Sequence, residues 1–595
     1  MSRTIIEAPS RGRKSVRMSP AFLFSFPAVI LLLVFSVAPT LMTFVFAWTD
    51  QRLILAPQLP TEFVGLRNFV RLLEDEHFTA AFRNTLFFTA TVGPIQMLLG
   101  LVLALLVNQR LPGMQFFRAI FFLPSTTSFL VVALAWSGLS NLGWPLEPFL
   151  KLIGYDDALV RAMLWTVWQG VGLEMLIFLA ALQTIPKELH EAASLDGANA
   201  WQHFRFVTLG FLRHASVFVL VSTVIKCVQV FDVLYVMEVF DQSNRSLVSM
   251  LTEEGFRLQK VGYASALGLV IYVMILLAFA LQRFASRERP SRIQSSSEFG
   301  LERFWNALGA PFTGLVNRLS RSLGRSSGVV QAISLYAVAC VFAMFFFAPW
   351  MYLFSSALKT NSAQLERDFN TWRSLMPIGK LGLENFWRDL NIPEIRQGLV
   401  NSLLVVAFLL PLNLFVNGTF AYALARFRFR ARGALFFVVV ALNFVPFTAQ
   451  AVPLLLIVNS FGWTSTLQVL IVPFVASAFS TFLFYQFFLS FPKELEDAAS
   501  VDGANWWQVF WRVVVPLSGP AFATVGLLTF LANWGNFFWP IMTIYEPPVM
   551  PIALSIGYVG PNPSLGVLLA LPALTLFLVS QRWFIRSITS GAINE

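Results

Sequence analysis

The segment Pro186–Val207, PKELHEAASLDGANAWQHFRFV, returns 306 positions later as Pro492–Val513, PKELEDAASVDGANWWQVFWRV. Fifteen of the 22 positions are identical without a gap, and both copies are solvent-type sequence set between long apolar runs. Two matching polar loops in such surroundings imply one membrane module present twice, each copy offering the same surface. A duplicated loop could simply be inherited with no shared role. Identity concentrated in the loop, and not in the spans, argues instead for a shared partner.

The composition agrees. The chain has 595 residues, 56% of them hydrophobic and only 12% charged, too few charges to cover a soluble protein of this size. Its 62 Phe and 17 Trp suit lipid-facing and interfacial positions. The formal charge of +10 reads as cytoplasmic loops beside anionic head groups, and not as a nucleic-acid surface. Cys227 and Cys340 are the only cysteines and sit in apolar runs, which excludes a disulfide framework or thiol metal site.

A span needs roughly 20 apolar residues. Twelve windows qualify, near 20–48, 82–107, 115–137, 161–183, 208–231, 261–283, 328–356, 399–424, 433–458, 465–489, 514–535 and 563–584. The first is too long for a signal peptide and reads as an uncleaved span. The basic residues set the orientation. Five precede the first window, eight lie in the Ser-rich run Arg283–Arg325, and Arg426, Arg428, Arg430 and Arg432 cluster in one loop, where they are expected to anchor in lipid head groups. With these inside, both termini and both repeated loops are cytoplasmic. GLRNF (Gly65–Phe69) recurs as GLENF (Gly382–Phe386), and Asn84-Thr85-Leu86 as Asn401-Ser402-Leu403. The expected fold is therefore an all-α integral membrane protein of twelve transmembrane helices in two parallel six-helix repeats. The parts are a cytoplasmic tail (1–19), a first half (20–285), a cytoplasmic linker (286–326) and a second half (327–595).

Physical chemistry gives the loop a shape. Pro186 or Pro492 suits the first helical position. Glu188 and Glu191, or Glu494 and Asp497, place negative charge near the positive helix end. Gly197 or Gly503 permits a sharp turn, and Asp196 or Asp502 is positioned to cap the helix that follows. Ala192, Ala193 and Ala198, with Ala498, Ala499 and Ala504, leave a low-profile surface for close packing.

The pattern EAA-x-x-DGA-x(5)-F-x-x-V resembles the signature of permease subunits of binding-protein-dependent ATP-driven importers. It stands here as EAASLDGANAWQHFRFV and EDAASVDGANWWQVFWRVVVP. FFRAIFFLP (Phe116–Pro124), QVFD (Gln229–Asp232), YASALG (Tyr263–Gly268), SSALKT (Ser355–Thr360) and VPFTAQAVPLLLI (Val445–Ile457) resemble the carbohydrate branch, as in maltose and glycerol-phosphate importers. The chain is thus similar to two such subunits fused, with the type I ABC importer fold. The resemblance implies that the loop, through the residues above together with Phe204 and Phe510, docks on the ATPase. It further implies two copies of an ABC ATPase subunit that carry the ATP and Mg, an extracytoplasmic solute-binding protein, and location in the cytoplasmic (inner) membrane. One departure is Gly210, where the pattern expects the proline found at Pro516; it should alter the entry angle of the next span.

No GxxxxGK[ST] phosphate loop is present, so no nucleotide site is expected on this chain. No metal site or nucleophile–base set stands out, and the chain is expected to be a transport subunit, not an enzyme, with no nucleic-acid partner. Polar groups inside spans tend to face a path or a partner. Glu174 could meet a substrate hydroxyl or pair with Lys226, and Asn443 and Gln450 flank a proline-broken stretch at Pro446 and Pro453. Tyr235, Phe444, Asn533, Trp534 and Asn536 complete the path candidates, while Asp232 is expected to cap a local turn. The resulting expectation is a carbohydrate importer permease working by alternating access. The rivals are the same architecture importing ferric iron, thiamine or a polyamine, and an ion-driven secondary transporter, which leaves the twin loops unexplained.

Overall fold

The computed structural model describes residues 20–52, 61–109, 111–140, 158–237, 245–285, 328–368, 371–560 and 562–591, which are mostly helical. The tail expected at 1–19 lies outside the described residues, as do 286–326 of the linker.

Among the described residues, eight helices are long and apolar enough to cross a bilayer. Pro20–Phe46, Glu76–Val107, Ala158–Gln183, His203–Tyr235 and Val261–Leu281 answer to windows one, two, four, five and six. Ala332–Leu358, Pro393–Arg426 and Gln468–Ser490 answer to windows seven, eight and ten. Windows three, nine and eleven are not straight. Met114–Thr126 and Phe129–Trp136 meet at 106°, Arg432–Leu442 and Phe447–Ser460 at 109°, and Trp506–Leu517 and Gly519–Trp534 at 79°. The twelfth window holds the helix Pro563–Gly591, of which Pro563–Val579 is a shorter apolar stretch. Among the described residues the length and composition test thus gives eight spans, or up to 11 if each bent pair is one span, and does not reach the expected twelve. The breaks have local causes. Pro124 lies in the 3-10 turn Leu123–Thr126, Pro446 is extended and cannot continue the ladder, and Ser518 leaves helical geometry just before Gly519-Pro520. Pro453, by contrast, is absorbed within Phe447–Ser460.

The short sequence repeats prove to be matched joints. The Asn68 amide donates to the carbonyls of Ala47 (3.0 Å) and Thr49 (2.8 Å), and the Asn385 amide to those of Ala357 (3.0 Å) and Lys359 (2.8 Å). Each amide thereby supplies partners to carbonyls at the end of its half's opening span. The Thr85 hydroxyl accepts from the Leu247 amide at 3.0 Å, and the Ser402 hydroxyl from the Ile552 amide at 2.9 Å. These contacts start the helices Leu247–Thr252 and Ile552–Val559. Two copies of one set of joints give two copies of one bundle.

The halves also exchange contacts. The opening span Pro20–Phe46 packs on the second half: Phe24 lies 4.3 Å from Trp507 and 5.9 Å from Tyr422 between ring centroids, and Thr40 donates to Gln450 at 3.1 Å. Reciprocally, the helix Gly328–Leu358 packs on the first half. Its Phe346 lies 5.5 Å from Phe121, and its Tyr336 hydroxyl donates to the Pro112 carbonyl at 2.6 Å. The apolar cores accordingly run across both halves.

Candidate functional site

The twin loops superimpose in their bonding. Lys187–Leu195 and Lys493–Val501 are helices of nine residues each. Both end in the same turn. Gly197 (φ +75°) and Gly503 (φ +85°) are left-handed, and the amides of Ala198 and Ala504 donate back to Ala193 and Ala499, each at 3.0 Å. Glycine is suited to that backbone, which closes a helix by the six-to-one pattern. The next helix is not capped by Asp196 or Asp502 as expected, since those residues end the first helix. The caps are Asn199 and Asn505. Asn199 exchanges bonds with Gln202 at 2.8 and 2.9 Å, and Asn505 with Gln508 at 2.8 and 3.0 Å. An asparagine exchanging bonds with the side chain three residues on is the more favourable N-cap. Both copies then pass through a π-helical turn, His203–Thr208 and Phe510–Val514, into the following span.

The predicted residues divide by direction. Glu188, Glu191, Ala192, Asp196 and Gly197 are exposed, as are Glu494, Asp497, Ala498, Asp502 and Gly503. Ala193, Ala198, Ala499 and Ala504 are half-buried, Phe204 packs on the core, and Phe510 is buried. Four outward residues escaped the sequence reading. Leu195 and Val501 stand at equivalent positions, 89% and 88% exposed, and Leu189 and Leu495 flank them. Their signal was an apolar residue at the same register of both copies inside a polar loop. Each loop thus carries an exposed apolar tip among exposed carboxylates.

The loops are seated differently. In the second copy Glu496 is buried, bonded by Arg426 Nε at 2.7 Å and by the Tyr422 hydroxyl at 2.8 Å, while Arg426 Nη2 also donates to the Phe491 carbonyl at 2.6 Å. Arg426 is therefore spent on the loop instead of on lipid head groups, its guanidinium held by a charge-assisted bond to a buried carboxylate. In the first copy His190 replaces Glu496. It stacks on His203 with ring centroids 4.8 Å apart.

A second feature lies between the halves. A cavity of about 430 Å³ is lined from the first half by Gln96, Gln169, Thr223, Lys226, Gln229 and Asp232, and from the second by Phe447, Thr448, Asn536 and Phe538. Glycines shape it: a Cβ on Gly100 would stand 2.8 Å from that of Glu174, so the second and fourth spans meet closely behind the wall. Glu174 is fully buried there, accepting from Thr223 at 2.9 Å and from Gln96 at 3.3 Å, with the half-exposed Lys226 ammonium 3.7 Å away.

Of the path candidates, Asn536 lines this cavity, Glu174 backs it, and Tyr235 stacks on Phe231 of its wall (5.0 Å). The others have partners of their own. Asn443 donates to Val439, Gln450 accepts from Thr40, Asn533 donates to Thr529, Trp534 donates to Leu569, and Phe444 packs on Phe279 at 4.1 Å. Asp232 opens the helix Asp232–Met237 with its Oδ1 buried and unbonded, so the expected turn cap is not made at that atom. Gln96 and Gln169 went unremarked and Gln229 was read only within QVFD, although three amides inside apolar windows were a legible sign. Among the described residues no His, Cys, Asp and Glu group could hold a metal ion.

Over residues 96–289 and 415–590 the chain matches the family described as binding-protein-dependent transport system inner membrane component. It is 30% identical over 300 residues to the arabinooligosaccharides transport system permease protein AraP of Bacillus subtilis, spanning 46% of this chain and 93% of that protein. It is 32% identical over 250 residues to the sn-glycerol-3-phosphate transport system permease protein UgpA of Yersinia pestis, spanning 40% and 84%. A solved chain of a bacterial ABC transporter involved in the import of the acidic polysaccharide alginate has 23% identity and a TM-score of 0.38, covering 43% of this chain and 96% of its own.

Proposed function

The chain belongs to the family of binding-protein-dependent transport system inner membrane components, matched once in each half, and from that premise we propose that it is a two-lobed permease importing a carbohydrate. The substrate class is a sugar, oligosaccharide or polyol derivative. The names of the arabinooligosaccharide and glycerol-phosphate relatives support it, as does a cavity whose lining mixes amides, hydroxyls and aromatic rings. Its volume of about 430 Å³ falls in the range of small-molecule sites.

One observation carries the energy coupling: Leu195 and Val501 crown two loops of identical bonding. In this reading each loop seats on one copy of an ATPase subunit, which binds the ATP and Mg. Glu188, Glu191, Glu494 and Asp497 rim the sockets, and Gly197 and Gly503 fix the angle. Phe204 and Phe510 carry the motion inward. An extracytoplasmic binding protein delivers the solute, and both termini face the cytoplasm of the inner membrane. Closing the ATPases draws the loops together, and the attached spans rock the cavity from one side to the other. The nucleotide drives this only through its different affinity for the two states.

The test is copurification of the full chain with its partners, followed by uptake of labelled oligosaccharides, glycerol phosphate, thiamine and ferric ion into cells with and without the chain. ATP-dependent uptake of a carbohydrate alone supports the proposal. Loss of iron or thiamine uptake with normal sugar uptake overturns the substrate class, and uptake with no ATPase attached overturns the mechanism.

A further inference from the structure

The two loop seats differ by more than a histidine. In the second half, Arg426 and Tyr422 of the eighth span fill the corner beneath the loop and bury Glu496. At the matching end of the second span the first half has Gln109 and Leu105, by the 317-residue offset that relates Asn84 to Asn401. The corner there stays open. It forms a crevice of about 670 Å³, whose polar lining is Asn108, Gln109, Gln115, Arg118, Gln183, Lys187 and His190.

Among the described residues no carboxylate lines this crevice. Arg118 spends two donors, Nε and Nη2, on the Val107 carbonyl at 3.2 and 2.8 Å, which orients the guanidinium and leaves further N–H groups for another acceptor. Lys187 has no ion-pair partner within 4 Å among the described residues. The crevice lies at the loop end of the second span and the start of the helix Met114–Phe122. Phe116, beside Gln115, is 67% exposed, and Ile333, on the neighbouring helix whose Tyr336 bonds Pro112, is 62% exposed. A cationic, amide-lined recess opening beside exposed apolar surface matches a ligand with an anionic head and an apolar body.

We infer that this crevice binds the phosphate head group of an anionic phospholipid, which fills under the first loop the place that Arg426 and Glu496 fill under the second. The head group lies between Arg118 and Lys187, with Gln109 and Gln115 as further donors. A phosphate diester accepts from a guanidinium fork and a lysine together. The lipid thereby seats the first loop from below, leaving Leu195 free.

The full chain, in nanodiscs of phosphatidylcholine with a minor fraction of phosphatidylglycerol, tests this by native mass spectrometry of retained lipid. Phosphatidylglycerol should be retained above its bulk fraction. Arg118→Gln and Lys187→Gln should each weaken that excess roughly fivefold, the attraction of one basic side chain for an anionic leaflet. Gln109→Glu, at an exposed position where misfolding is not a concern, should also lower it, whereas Arg430→Gln in the other half should leave it unchanged. Equal retention in all four variants overturns the inference. Displacement of the lipid by inorganic phosphate at low concentration also overturns it, by marking a site for the free anion.

Discussion

Arg426 and Glu496 lie 2.7 Å apart, their side chains 6% and 7% exposed, and join the end of one span to the loop that follows two spans later. Removing one partner of such a pair leaves a buried charge uncompensated. Glu496→Ala should therefore cost about 3 kcal/mol. His190→Ala at the matching position, which strands no charge, should cost about 1 kcal/mol or less. Melting of the two purified variants in detergent measures the difference, and equal losses would contradict the asymmetric seating.

Leu195→Asp and Val501→Asp address the exposed tips. Neither side chain supports the fold, so melting should move by no more than about 0.5 kcal/mol. Each change should still reduce ATP-driven uptake, and the double variant should no longer copurify with the ATPase. Full retention of the ATPase by the double variant would show that the tips do not dock.

Gly503→Ala separates backbone from crowding. No heavy atom lies within 4 Å of the Cβ it would gain, so only the left-handed backbone resists the change, at about 1 kcal/mol. Gly503→Asn should cost less, because asparagine tolerates that conformation. Uptake should follow the same order, glycine above asparagine above alanine. A reversed order would mean that the turn does not set the loop's working angle.

Lys226→Met should deprive Glu174 of its counter-charge and lower both the amount of protein in the membrane and its uptake. Lys226→Met combined with Glu174→Gln removes both charges and should restore the amount, since replacing a whole pair is far better tolerated than breaking it. Quantifying membrane protein by blot before uptake distinguishes folding from transport. No recovery in the double variant would mean that Lys226 has a structural role beyond the pair.

Much of this was legible in the chain. The repeats Gly65–Phe69 and Gly382–Phe386 announced a duplicated bundle, and the structure gives the reason: Asn68 and Asn385 tie off equivalent span ends. The loop's glycine turns were likewise readable, since left-handed backbone favours one residue type. The caps were misassigned because aspartate and asparagine are both strong N-caps, and only the bonded glutamines at 202 and 508 distinguish them. The bends in windows three, nine and eleven were hidden by hydropathy, which measures how apolar a stretch is and not where its axis runs. The path residues were the least legible: Gln450 and Trp534 were offered as path candidates by residue type, and only the structure shows their bonds to Thr40 and to the Leu569 carbonyl.

The exchanged opening helices decide what can move as a unit. Thr40 reaches Gln450, and Tyr336 reaches Pro112, so each lobe wears an arm that the other lobe encoded. The mechanical boundary therefore does not fall at the midpoint of the polypeptide. Spin labels on the arm near Thr40 and on the helix near Gln450 should keep one separation throughout the cycle, while pairs straddling the cavity change theirs. A hinge drawn at the linker would cut across both rigid pieces, and the crossed arms would act as straps limiting how far the lobes part.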